Sequence, residues 1–182
     1  LDMRVVDALK ISGAGTDVTF GTSGGTQLAL STGMLLSTGA NQSIGNAALV
    51  ALGSAPAIGF GSFPNTNSPA VATVPALSSA AGILLVAKDA VLSVDASFYQ
   101  SVASVQNVTK GLEGSVIFNA RQFFNGGWFE IVAGNVTLAG GENTLWQGVQ
   151  GGSAGQSVSI GSGATLSLGG NAQMVGSIAS PG

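Results

Sequence analysis

Hydrophobic and polar residues alternate with a period of two over short stretches, and glycine closes most of those stretches. Near the amino terminus Asp17-Val18-Thr19-Phe20 stops at Gly21, Gln27-Leu28-Ala29-Leu30-Ser31 leads to Gly33, and Met34 to Ser37 runs to Gly39. Toward the carboxy terminus Asn135-Val136-Thr137-Leu138 runs into Gly140-Gly141, Ser157-Val158-Ser159-Ile160 into Gly161, and Thr165-Leu166-Ser167-Leu168 into Gly169-Gly170. Each stretch places apolar side chains on one face of a strand and hydroxyls on the other. Glycine at their ends suits turns of positive φ and close approach of backbones. Val136 and Val158 are 22 residues apart and Val158 and Leu166 only eight, so the theme has no fixed period.

The middle differs. From Val71 to Asn107 alanine and valine dominate, and Ile83 to Val94 reads as strand. Val91, Val94, Phe98, Val102 and Val105 also fall at spacings of three and four, which leaves one short helix near 95–110 open as the alternative. Ser115 to Asn119 and Trp128 to Val132 read as buried strands. Arg121 to Trp128 reads as a turn carrying aromatic residues, and Phe60 to Pro69, with Pro64, Asn65 and Asn67, as a turn or hinge. The expected fold is mainly β, a sandwich or an irregular solenoid of short Gly-terminated strands, in one domain over 1–182. Leu1 to Ile11, with Val5, Val6, Leu9 and Ile11 and neither Gly nor Pro, is the candidate for a strand donated to another copy.

Composition narrows the function. Of 182 residues, 7% are charged, against about a quarter in ordinary soluble domains. No charge occurs from Val18 to Ala87 or from Asn143 to Gly182, 29 residues are glycine, and the mean hydropathy is +0.47. Without His or Cys, there is no histidine-based triad, thiol nucleophile, disulfide or His/Cys zinc site. The net charge of −3, with five scattered Lys and Arg, argues against a nucleic-acid partner. The apolar windows Ala47 to Phe63 and Pro69 to Ala87 are broken by Ser, Gly and Pro and are not expected to span a membrane. The chain begins at Leu1 and reads as a mature or excised product.

Chemical motifs are weak. Gly21 to Gly25 around Ser23 and Gly151 to Gly155 around Ser153 match G-x-S-x-G, yet no histidine exists to activate either serine. Neither is expected to be catalytic, and no cofactor is expected. Ser12 to Asp17 is close to one calcium-binding nonapeptide, and Asp89 with Asp95 is a candidate calcium or glycosidase-like carboxylate pair, with a glycine turn and exposed strand-end charges as the simpler readings. Phe123, Phe124, Trp128 and Phe129 form a candidate subunit contact or sugar platform, with core filling as the alternative. Glycosylation sequons occur at Asn41, Asn107 and Asn135.

The glycine-terminated strands, particularly Asn135 to Gly141 and Gly161 to Gly170, resemble the passenger regions of bacterial autotransporters and filamentous-haemagglutinin-like adhesins. The resemblance implies a parallel β-helix that serves as a surface adhesin or stalk. A strand-donating β-sandwich fibre subunit suits the chain equally well. Strand edges with so little charge lack the usual protection against pairing. The expectation is therefore a secreted, extracellular structural protein whose copies form a filament, sheath or surface layer. The alternative is a monomeric β-helical adhesin segment that binds a host glycan or protein.

Overall fold

A computed structural model of the chain describes residues 3–21, 27–61, 80–100, 107–124, 127–145 and 157–180. In chain order the elements are β1 (Met3–Ile11), β2 (Asp17–Thr19), β3 (Gln27–Ser37), β4 (Gln42–Gly45), the helix α1 (Ala47–Ala51), β5 (Ala57–Phe60), β6 (Gly82–Val86), β7 (Val91–Asp95) and β8 (Ser97–Gln100). They continue with β9 (Val108–Gly111), β10 (Ser115–Phe118), β11 (Trp128–Ile131), β12 (Asn135–Leu138), β13 (Ser157–Ile160), β14 (Thr165–Ser167) and β15 (Ser177–Ala179).

Every strand pair among the described residues is parallel. Two parallel neighbours cannot be joined by a hairpin, so the chain must make a circuit between them. The chain is thus an irregular β-solenoid with three faces. The first face holds the first halves of β1 and β3, then β5 and β8, and continues through bridges from Tyr99 to Phe123 and from Gln122 to Leu145. The second holds the other halves of β1 and β3, then β6, β9, β11, β13 and β15. The third runs β2-β4-β7-β10-β12-β14. β3 serves two faces because it bends at Gly33, where φ is +73° and a Cβ would sit 2.0 Å from the Ala81 carbonyl oxygen.

Alternation decides what enters the prism. Ile44, Val94, Phe118 and Leu138 stack as one inward column and Val108, Phe129 and Val158 as another, all fully buried. Phe118 sits among Phe98, Phe124 and Phe129, edge-on to each at 6.3, 6.1 and 6.1 Å. Polar side chains close the coil corners from inside. Gln122 accepts from the Phe98 N–H at 2.9 Å and donates to the Ala96 and Ala120 carbonyls at 3.0 and 2.7 Å. Gln42 donates to the Gly13 carbonyl at 2.8 Å, one coil back.

The short helix left open near 95–110 is not found among the described residues there, since β8 and β9 occupy Ser97–Gln100 and Val108–Gly111. Leu92, Val94, Ala96, Phe98 and Gln100 all turn inward, so the period of two carries through the corner between β7 and β8, while Val91 faces outward. The short helix falls instead at α1, capped by Asn46, whose side-chain oxygen accepts from the Ala48 and Leu49 N–H groups. The run Ile83 to Val94 is two strands rather than one, broken at Asp89 with φ +63°.

Candidate assembly surfaces

The two ends of the solenoid differ. At the amino-terminal end β1 pairs with β3 and β2 with β4, and the other edge of each pairs with no described residue. β1 carries Arg4, Asp7 and Lys10, and β2 carries Asp17. Such charges on an edge strand oppose indiscriminate pairing. The candidate donor strand is paired along β3 of its own chain: Ile11 is buried and Leu9 packs against the core, whereas Val5 and Val6 are exposed.

At the other end β14 and β15 are the outermost strands and carry no charge. Ile178 continues the inward column of Val108, Phe129 and Val158 yet is 62% exposed, with no described residue stacked beyond it. Leu168 and Met174, in the same carboxy-terminal stretch, are exposed as well. Met174 sits in a backbone segment tied to the preceding coil by the bonds from Asn143 N–H to the Ala172 carbonyl and from Gln173 to the Gly141 carbonyl.

The aromatic candidates separate. Phe124 is buried against Phe118 and Phe129 and serves the core, not a subunit contact. Phe123 lies face to face with Tyr99, 4.5 Å apart and 9° from parallel, so each ring covers one face of the other, a face that a sugar would otherwise stack on. Burial pushes the Tyr99 hydroxyl above its usual pKa, with the Ser97 hydrogen bond a smaller opposing effect. Trp128 is exposed at the start of β11.

The polar candidates are mostly occupied with one another. Asn107 donates to Glu130 at 2.8 Å and accepts from the Trp128 N–H at 3.0 Å, so both ends of its amide are engaged. Asn41, with φ +52°, and Asn135 are exposed. Thr16 donates to the Ser12 and Gly13 carbonyls, which makes Ser12 to Asp17 a self-bonded turn, and Asp17 accepts from Ser43 at 2.6 Å. Asp89 and Asp95 lie at opposite ends of β7 and do not converge. No group of three potential metal ligands occurs among the described residues, and none of their helices is long and apolar enough to cross a membrane. Ser23, Ser153 and the Pro64 to Pro69 segment lie outside the described residues.

One feature gave no sequence signal. Lys110 points into the core and is fully buried, donating to the carbonyls of Leu112 at 2.6 Å, Gly114 at 2.5 Å and Ala133 at 2.7 Å. These carbonyls belong to the tight corners after β9 and β11. Gly134 is required there, with φ +72° and a virtual Cβ only 2.4 Å from Lys110 Nζ. Burial lowers the Lys110 pKa from 10.5 to about 8, outweighing the three carbonyls that favour the ammonium form.

No known protein family, curated protein or solved structure matches the chain.

Proposed function

We propose that the chain is a non-enzymatic structural subunit, acting outside the cell, whose copies stack end to end into a filament, sheath or layer. The observation that carries this reading is Ile178, an inward-facing residue that stands exposed on uncharged strand β15, whose outer edge pairs with no described residue. In a parallel solenoid both open edges run in the same direction. A second copy moved along the axis therefore brings its β1 and β2 to the first copy's β15 and β14, in a head-to-tail contact that repeats without closing. Fully covering an isoleucine or leucine contributes about 1.5–3 kcal/mol, and the added backbone ladder supplies direction. The low charge of the whole chain supports association over dispersion.

The test is Ile178→Asp. The side chain is already exposed, so the far-ultraviolet dichroism and thermal midpoint of the variant should match wild type, while large particles disappear from light scattering. Undiminished polymer in a folded variant contradicts end-to-end stacking. The parallel winding also supports a second reading, a monomeric adhesin segment, for which wild type and variant would both stay monomeric.

A further inference from the structure

Among the buried polar side chains of the described residues, Lys110 alone is charged. Its stem runs between apolar walls, since Lys110 pairs with Leu84 on one side and Ile131 on the other, both buried. Its tip meets three main-chain carbonyls, those of Leu112 and Gly114 from the corner after β9 and that of Ala133 from the corner after β11. Glu113, between the first two, turns outward instead, with a side chain 67% exposed and 3.7 Å from Lys88. Backbone bonds that do not involve the ammonium hold both corners: Gly114 N–H to the Val86 carbonyl at 3.0 Å, Val132 N–H to the Lys110 carbonyl at 2.9 Å and Asn135 N–H to the Gly114 carbonyl at 3.2 Å. Leu112 and Gly134 both take positive φ there, +64° and +72°. A Cβ at Gly134 would stand 2.3 Å from the Gly114 carbonyl oxygen and 2.4 Å from Lys110 Nζ, so glycine keeps the space that the ammonium fills.

We propose that these two corners form a binding site for a primary alkylammonium group in their own right, a site that the native chain fills with the tethered side chain of Lys110. Three carbonyl oxygens match the three N–H donors of an –NH3+ group. Bonds from a charged donor are short, as the distances of 2.5 to 2.7 Å are. Other cations fit less well. A guanidinium spreads its donors over a planar fork, and calcium takes about six to eight oxygens. The apolar walls of Leu84 and Ile131 select an alkyl stem behind the charge, because covering each methylene is favourable. Occupancy ties the corner of one coil to that of the next. The site lies inside the prism, so it does not depend on end-to-end stacking.

Lys110→Ala keeps Cβ and removes the rest of the side chain, and n-propylammonium supplies the carbons and nitrogen taken away. The variant is made in the Ile178→Asp background so that assembly does not contribute, and is melted at pH 7 with propylammonium chloride, sodium chloride or 1-propanol. Its thermal midpoint should lie below that of the parent and rise with propylammonium along a saturating curve, by about 3–6 °C at ten times the Kd. Sodium chloride and 1-propanol, which fills the same space without the charge, should give no such curve. Neither the parent, whose site is filled, nor Lys110→Met, whose side chain occupies the vacated space, should respond. Where Lys110→Ala does not fold unaided, propylammonium present during refolding should restore its far-ultraviolet dichroism. Neither a saturable rise nor a recovered fold, or an equal rise with 1-propanol or in Lys110→Met, overturns the site.

Discussion

Replacing Lys110 with methionine is expected to lower the unfolding free energy by about 3–5 kcal/mol, the usual cost of leaving buried polar partners unmatched. The methionine keeps the aliphatic volume but leaves the Leu112, Gly114 and Ala133 carbonyls facing an apolar chain inside the prism. Against a typical total stability of about 5–15 kcal/mol, that loss brings the variant near its folding threshold. Urea unfolding at pH 7 measures it, and a loss below about 1 kcal/mol would show that the corners relax or hydrate freely. The same side chain gives a pH signature. The folded protein releases the Lys110 proton near pH 8 and the unfolded chain near 10.5, so across that window the unfolded state binds more protons and stability rises with pH. Below about pH 8 both states hold the proton and this contribution has no slope. The rise should be present in wild type and absent in Lys110→Met.

Phe118→Ala is the second large effect, with an expected loss of about 3–5 kcal/mol. Phe118 is fully buried at the junction of the first, second and third faces and touches three other phenylalanines. Its neighbours come from three successive coils, so collapse into the vacated volume would pull rigid ladders out of register. That places the loss at the upper part of the range for such truncations. A midpoint in urea within experimental error of wild type would mean that the aromatic cluster is not what joins the coils.

Much of the strand content was legible because one face of each strand enters a core. Ser115–Phe118, Trp128–Ile131, Asn135–Leu138 and Ser157–Ile160 all alternate cleanly and all form strands. The solenoid stood beside a sandwich as one of two alternatives because spacings between strands of different faces hide its repeat. Val136 lies on the third face and Val158 on the second, so their spacing of 22 has no structural meaning. Val136 stacks instead on Val116 and Leu166, and Val158 on Phe129 and Ile178. Along each face the step varies with loop length, from 20 residues between Ser115 and Asn135 to 50 between Ser43 and Ser93. Strands β4 and β9 escaped because Gln42 and Lys110 occupy inward positions, where a polar residue in sequence looks outward. Their reason for facing inward is the set of corner carbonyls, which only the folded coil brings together.

For the candidate surfaces, low charge and alternation suggest association in the sequence, and the exposed Ile178 end of the solenoid is where the proposed stacking would act. The proposed donor strand pairs with β3 of its own chain, where Ile11 is anchored. Of the aromatic cluster, Trp128 is exposed, whereas Phe124 had to fill the centre of the prism.

Association of the unmodified chain is the central claim, and multi-angle light scattering over a dilution series tests it most directly. The account predicts particles many times the 17.7 kDa chain mass that shrink on dilution. A monodisperse 17.7 kDa species at every concentration would contradict it.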